Sequence, residues 1–584
     1  MRDGSAALAG TGIGGTICTH PVSQVHTCRV LRWIAVSVLA LVIYLQGSGA
    51  PFSNTAECQE ALVVWEMADS GNWVLPRVNG ELIPSKPPLY HWIAAGFSRL
   101  TGGVDERSVR LPSIVAAALG VGLVFAAAAV EWGAPSAAVA AVVLATSPEW
   151  VKWATTARTD ATFALLLAAS LLLGRRWLRS ARTGTLLALA AAAGAATLAK
   201  GFAAAALVGL VMAIEVVRSR SARRALRAGP LAAAAAVFAA IALSWYAAAF
   251  AQAGFAFFHK QIVLENVLRF LPYEEGGPSR RHALWFYVPT LLAGMAPWSI
   301  ALPHAVLRAW RERRSDAPAA DFSRYLLLWF TVVFVVCTLA SGKRSNYLLP
   351  LYPAAALLVG RDLAAWLEAP PSRRRERVLG AVGAAATAAV VLLAAALASW
   401  RAGWRPWTAI VPWLHAQDRI LAPRMIERLG EPGLAVILLL VALAAALAVA
   451  TVRRRWRALY ALIGASLLLA VFTACRVVPD LEASLKSFAP FSGRVDSIVG
   501  RDPLRFFRAA DLAVLFYLRR HVPVERGEFQ AIGRPAYVLI WLKDWEALSA
   551  AARDGARVIE TSPPASIARP NTRLLLVRIA ERAG

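Results

Sequence analysis

The chain reads as long apolar blocks separated by short polar stretches. Apolar runs occupy residues 33–46, 111–130, 230–250, 286–306, 325–340, 381–399, 434–452 and 458–475. Each reaches or approaches the roughly 20 residues that a helix needs to cross a hydrocarbon core. They are apolar on every side rather than along one stripe, and no soluble fold has a use for so many such helices. The pattern predicts an α-helical polytopic membrane protein.

The polar stretches carry the topology. Arginines cluster at 175–182, 218–227, 308–314, 373–377 and 453–457, each time beside an apolar run. Cytoplasmic loops are enriched in Lys and Arg in this way. Arg29 and Arg32 precede the first run, which puts the N-terminus inside. Threading the chain from there gives about thirteen spans, every arginine cluster inside, and the C-terminal tail outside. The first outer loop covers 49–108. Further outer segments fall at 149–158, near Lys200, at 253–284, at 342–347 and at 400–431. Residues 1–28 have no apolar core or cleavage site of a signal peptide, and are expected to be a disordered cytoplasmic segment. A transmembrane domain follows over 29–476.

The tail, 477–584, changes character. Short apolar runs at 513–518, 536–542, 557–560 and 573–579 read as strands, and 543–552 as a helix. This predicts a small α/β domain outside the membrane. It has no catalytic motif, and its plainest role is an accessory unit or a lid that guides substrate.

Composition agrees with the membrane reading. Of 584 residues 58% are hydrophobic and 17% charged, where a soluble chain has about 25% charged. The net charge of +26 is a feature of nucleic-acid binders, but its confinement to short inner loops excludes that class. Five cysteines (Cys18, Cys28, Cys58, Cys337 and Cys475) show no metal-binding spacing.

Candidate chemistry gathers in the first outer loop, which is too long for a plain connector. Residues 57–67 predict an amphipathic helix lying in the interface, with Glu57 and Glu60 away from its apolar side. A turn-rich run then leads to Ser85-Lys86-Pro87-Pro88. Two prolines fix the backbone directly after Lys86. A lysine held there suits a phosphate; the plainer alternative is an interfacial lysine whose head snorkels to water.

The ordered series Glu57, Gly71-x-Trp73-x-x-Pro76-x-x-Asn79-Gly80, Lys86-Pro87-Pro88-Leu89 and Arg110-Leu111-Pro112-Ser113 resembles the aminoarabinose transferase and dolichyl-phosphate-mannose protein mannosyltransferase-like family. These are integral membrane glycosyltransferases of the GT-C fold. The resemblance continues through Ser147-Pro148, Asp160, Lys200-Gly201, Glu265-Asn266, Arg269-Phe270, His282, Pro297-Trp298 and Lys343 to Pro353. It implies a sugar donor on a polyprenyl phosphate, usually undecaprenyl phosphate, and transfer with inversion at the outer face of a bacterial inner membrane. The acceptor would be a lipid A-like glycolipid, a polysaccharide or a protein. The partners are thus a donor lipid, an acceptor and membrane lipids, with no nucleic acid.

On this resemblance Glu57 and Lys86 are the candidate catalytic residues, as base or electrostatic partner and as phosphate clamp. Glu60, Arg158, Asp160, Lys200, Glu265, Arg269, His282, Lys343, Arg344 and Tyr347 are candidate substrate-binding residues. Structural alternatives stand beside several of them: an Arg158–Asp160 pair, a Glu265–Arg269 pair at helical spacing, an aromatic-belt role for Tyr347 and an anchoring role for Lys200. The chain departs from the family where Asp-Glu reads Ala56-Glu57, the following arginine is Gln59, and the glutamate before Lys-Pro-Pro is Ser85. His282 matches a histidine that binds metal in aminoarabinose transferases, but with Ser85 in place of a ligand no metal cofactor is expected. These departures leave the sugar and the acceptor open. Two rival classes remain, a transporter of polyprenyl-linked sugars and a non-catalytic lipid-binding relative.

Overall fold

Inside a bilayer the backbone has no partner but itself, so all-round apolar runs coil into helices. The computed structural model describes residues 21–580 apart from 81–82, 269–281, 316, 371, 410, 415–417, 432, 567–568 and 570. Its first third contains α1 (Pro21–Tyr44), α2 (Thr55–Ser70), α3 (Leu89–Thr101), α4 (Glu106–Trp132), α5 (Ala134–Thr146), α6 (Pro148–Ala154), α7 (Thr159–Ser180) and α8 (Thr183–Lys200). Next come α9 (Ala203–Arg218), α10 (Arg220–Arg224), α11 (Ala228–Phe258), α12 (Tyr287–Gly294), α13 (Leu302–Glu312) and α14 (Pro318–Leu339). The bundle closes with α15 (Tyr352–Glu368), α16 (Arg373–Arg401), α17 (Asp418–Gly430), α18 (Leu434–Val452) and α19 (Trp456–Lys486).

Among the described residues, nine helices have the length and apolar composition to cross a membrane, and shorter apolar helices lie at Val30–Tyr44, Ala134–Thr146 and Leu284–Gly294. All thirteen positions expected to span are helical. The eighth is broken: α12 and α13 are separated by turns and a 3-10 segment around Pro297, where proline removes a backbone donor. The 149–158 connector is itself mostly helix α6. Spans pack through small residues, as helices do in lipid. A Cβ on Gly360 of α15 would meet the Ala140 backbone of α5 at 2.6 Å.

The tail builds α20 (Ala489–Val499), β1 (Leu504–Phe507), α21 (Leu512–Leu518), β2 (Val524–Glu525), β3 (Ala536–Trp541), α22 (Leu542–Glu546), α23 (Ala550–Arg553), β4 (Ala556–Thr561) and β5 (Leu574–Ile579). The sheet order is β2-β1-β3-β5-β4, with β1 parallel to β2 and β3 and with β5 antiparallel to its neighbours. Residues 513–518, expected as a strand, form α21, because the Asp511 carboxylate caps the N–H groups of Ala513 and Val514. The expected helix at 543–552 is two short ones, α22 and α23. The last span also outruns its expected end. Helix α19 continues unbroken to Lys486, stitched by Arg476–Asp480 and Glu482–Lys486 pairs one turn apart.

Helix α2, expected as an amphipathic interfacial helix, is buried on more than one side. It is clamped between the bundle and the tail, and shares a core with α20 and α21 in which Leu62, Met67, Phe491 and Phe516 are buried. Asn79 and Val522 exchange two hydrogen bonds of 3.0 Å. The Tyr517 hydroxyl donates to Glu106 at 2.9 Å and accepts from the Phe52 N–H at 2.8 Å. The tail therefore roofs the first outer loop.

Overpacking at the α5–α15 crossing gives a test of the bundle. Gly360→Val is expected to cost about 1–3 kcal/mol and to lower the midpoint of thermal unfolding in detergent. Gly209→Val, where an added Cβ meets nothing within 4 Å, should leave the midpoint near that of the parent.

Candidate active site

Ionisable groups at the outer end of the bundle are buried, and a buried charge must be paired. Asn54 caps α2, accepting from the Glu57 N–H at 3.0 Å. This places Glu57 in the first turn, facing Arg110 of α4. Its carboxylate takes the Arg110 Nε and Nη2 at 2.8 and 3.1 Å, the Ala157 N–H at 2.9 Å and the Asn54 amide at 2.8 Å. Arg110 Nη1 also donates to the Ser48 and Ala50 carbonyls at 2.9 and 2.6 Å. One ion pair thus ties together the end of α1, the start of α2, α4 and the α6–α7 turn.

One turn further along α2, Glu60 meets His91 of α3 at 2.7 Å and Arg158 at 3.2 Å. Burial pushes the Glu60 carboxyl up, but the His91 hydrogen bond and the Arg158 charge outweigh it and hold the group below its ordinary value. Arg158 lies 3.7 Å from Asp160. Asp160 also pairs with Lys200 and accepts from the Asn346 amide at 2.8 Å. The Lys200 ammonium stands over the Tyr347 and Phe163 rings at 5.3 and 5.2 Å. Arg158 Nε and Asp160 Oδ2 are buried without a hydrogen-bond partner among the described residues.

A cavity of about 1100 Å³ opens beside this lattice. It is lined by Lys86, whose ammonium sits 3.2 Å from Glu265; Lys260 lies 3.9 Å from the same carboxylate. Its lining also takes in a stripe of α19, with Leu467, Ala470, Val471, Ala474, Cys475 and Val478 at helical spacing. Among the described lining residues there are four lysines (Lys86, Lys152, Lys260 and Lys486) and three arginines (Arg110, Arg158 and Arg344), against three glutamates (Glu57, Glu265 and Glu482). All three glutamates are engaged: Glu57 by Arg110, Glu265 by Lys86, and Glu482 by Lys486 at 3.1 Å and the Ser53 hydroxyl at 3.1 Å. The cavity can therefore hold an amphiphile with an anionic head.

Glu57, Lys86, Arg158, Glu265 and Arg344 line this cavity. Glu60, Asp160, Lys200 and Tyr347 stand behind it in the ionic lattice. Two candidates do not join them. Lys343 is buried and donates to the Ala340 carbonyl at 2.8 Å, where it closes the end of α14. His282 is exposed and stacked on Phe286 at 4.2 Å. Arg269 lies outside the described residues. Glu57, expected as base or electrostatic partner, is buried and saturated with donors. No three His, Cys, Asp or Glu side chains among the described residues come together to hold a metal ion. The Ser85 hydroxyl accepts from Gln59 at 3.4 Å. Sequence reasoning missed Arg110, although its Arg-Leu-Pro-Ser motif was visible. It also missed Lys486, which needed the continuation of α19 beyond the membrane.

Two stability measurements check this lattice. Glu57→Gln leaves Arg110 buried without its counter-charge and should cost roughly 3–5 kcal/mol, seen as a lowered unfolding midpoint in detergent. Glu60 has a folded pKa below its ordinary 4.5. Its contribution is therefore present above that value and is lost as pH falls through the folded one. The unfolding midpoint of the parent should drop on acidification below about pH 4.5 more steeply than that of Glu60→Gln.

A family model described as dolichyl-phosphate-mannose-protein mannosyltransferase matches residues 85–263. The undecaprenyl phosphate-alpha-4-amino-4-deoxy-L-arabinose arabinosyl transferase 1 of Pseudomonas fluorescens (strain Pf0-1) is 28% identical over 374 residues, 60% of this chain and 61% of that one. The corresponding transferase 2 of Proteus mirabilis (strain HI4320) is 30% identical over 347 residues, 58% of this chain and 60% of that one. The chain thus spans about three fifths of the length of the curated relatives it matches. The crystal structure of ArnT from Cupriavidus metallidurans bound to undecaprenyl phosphate has a TM-score of 0.70 at 21% identity, covering 96% of this chain and 99% of that one. Its apo form gives 0.71 at 20% identity. Bundle, outer loop and roofing tail together have the GT-C fold of these structures, and the chain is similar over residues 85–263 to the dolichyl-phosphate-mannose-protein mannosyltransferase family model.

Proposed function

We propose that the protein is a membrane glycosyltransferase that moves a sugar from a polyprenyl-phosphate donor, undecaprenyl phosphate in bacteria, to an acceptor of the cell envelope. The observation that carries this reading is the mixed lining of the cavity: an apolar stripe on α19 for a prenyl chain together with several cations for a phosphate. Curated relatives are arabinosyl transferases named for undecaprenyl phosphate, which supports the same donor here. The arginine clusters support an inner-membrane orientation with the N-terminus cytoplasmic and the cavity and tail on the periplasmic side.

In the proposed reaction the acceptor oxygen attacks the anomeric carbon. The bond from that carbon to the lipid phosphate breaks, and its electron pair leaves on the phosphate oxygen. Lys86 turns from Glu265 to the departing phosphate, and Arg344 and Arg158 add charge where water is scarce and Coulomb attraction is strong. Of the described carboxylates at the cavity, Glu57 and Glu482 stay on their cations, and Glu265, once released by Lys86, is the one that can take a proton from an acceptor hydroxyl. An acceptor oxygen that is already anionic, as on the phosphate of a lipid A-like glycolipid, needs no base.

The test is sugar release or transfer by the purified protein with a panel of undecaprenyl-phosphate sugars. Turnover is expected for at least one donor, with Lys86→Ala lowering kcat/KM by about 100-fold or more, the range for loss of one charge-stabilising donor. Turnover unchanged in Lys86→Ala would remove the proposed phosphate clamp.

A further inference from the structure

The strand order of the tail opens a crevice at one end of its sheet. Strands β1 and β3 are adjacent and parallel, yet the chain leaves their carboxyl ends toward opposite faces. After β1 it enters α21, whose Val514 and Leu515 share a core with Phe506 and Leu539 on one face. After β3 it enters α22, where Leu542 and Trp545 pack with Phe507 and Ile540 on the other. Open α/β sheets bind ligands where neighbouring connections diverge in this way. A pocket of about 590 Å³ lies there, lined by Ala509 just past β1, Trp541 at the end of β3 and Lys543 of α22. That volume is ordinary for a small-molecule site. Its lip comes from the β4–β5 connection, with Arg569, Asn571 and Thr572. The lip is tied down where the Ala565 N–H donates to the Thr572 carbonyl at 2.7 Å and the Leu542 N–H to the Arg573 carbonyl at 2.8 Å.

The described lining carries two cations, Lys543 and Arg569, and no carboxylate. Asp544, the chain neighbour of Lys543, is held by Arg508 at 3.1 Å. Ile567, Ala568 and Pro570, outside the described residues, bring no charge to the connection. Trp541 is backed by the Phe488 ring at 6.4 Å. An indole beside two cations and an amide suits a sugar that bears an anion. The ring edge meets the aromatic surface, a phosphate or carboxylate meets Lys543 and Arg569, and hydroxyls meet Asn571.

We propose that this crevice is a second binding site, for an anionic saccharide, with Trp541, Lys543 and Arg569 as its main contacts. Phe488 comes just after α19, whose last residue Lys486 lines the membrane cavity, so the crevice stands near the outer end of that helix. Its role rests on the glycosyltransferase reading: the crevice holds the acceptor while the membrane cavity holds the donor.

The experiment measures binding of N-acetylglucosamine 1-phosphate to the full-length protein in detergent, beside N-acetylglucosamine and inorganic phosphate. The sugar phosphate should bind more tightly than either half. Lys543→Gln combined with Arg569→Gln should weaken it by about tenfold or more, the least that loss of charge-assisted hydrogen bonds costs. Both side chains are exposed, and an unchanged unfolding midpoint shows that the double variant is folded. Trp541→Leu should weaken the sugar phosphate without weakening inorganic phosphate. Displacement of the probe by lipid A in mixed micelles assigns the anion to a glycolipid, and displacement by a galacturonic acid oligosaccharide assigns it to a polysaccharide. A sugar phosphate that binds no better than inorganic phosphate, that binds parent and double variant equally, or that neither competitor displaces, overturns the proposal. In a transfer assay the double variant should raise the acceptor KM with kcat unchanged, and an unmoved KM overturns the acceptor role. Absence of transfer by the parent, with the binding differences intact, counts against the transferase reading alone.

Discussion

The structure depends on the pairing of Glu57 with Arg110. Neither charge is tolerable alone where it sits, with side chains about 4–5% exposed at the end of a membrane bundle. Their shared geometry holds four chain segments together, and from that knot the neighbouring lattice of Glu60, His91, Arg158, Asp160 and Lys200 extends across the outer face. Dry, paired charges of this kind are rigid. They keep the cavity wall in place and leave Lys86 and Arg344 at its edge.

The cavity is amphiphilic because two unlike elements meet there. Helix α19 carries its apolar side up from the bilayer and then continues past the membrane as a charged helix, so one rod supplies both the prenyl-sized stripe and Lys486. The first outer loop supplies Lys86, and the tail presses that loop down through Asn79, Tyr517 and the shared core of α2 and α21. Beyond α19 the tail thus contributes to the site by position, and none of its described residues there lines the cavity.

Much of this was legible in the sequence, because membrane helices announce themselves by length and uniform apolarity, and arginine clusters by their side. Every expected span is helical. Less was legible where local pattern is ambiguous. Six apolar residues at 513–518 suit a strand or a helix alike, and only the buried cap at Asp511 decides it. The end of the last span at Cys475 was read from hydropathy, whereas ion pairs one turn apart carry α19 to Lys486. The candidate residues were read from the family motif, but their partners were not legible there. The 53-residue separation of Glu57 and Arg110 leaves no periodic trace. For the same reason the burial of Glu57 against Arg110 was not legible, and Lys343 read as a cation facing substrate rather than a cap on α14.

The central claim is that this cavity receives the lipid phosphate through Lys86. A structure of the full-length protein with undecaprenyl phosphate bound tests it most directly. The account predicts the phosphate in the cavity, with Lys86 Nζ moved from Glu265 to a phosphate oxygen at about 2.8 Å and the prenyl chain along Leu467, Val471 and Val478. A phosphate bound elsewhere, or Lys86 still seated on Glu265 with the lipid in place, would contradict it.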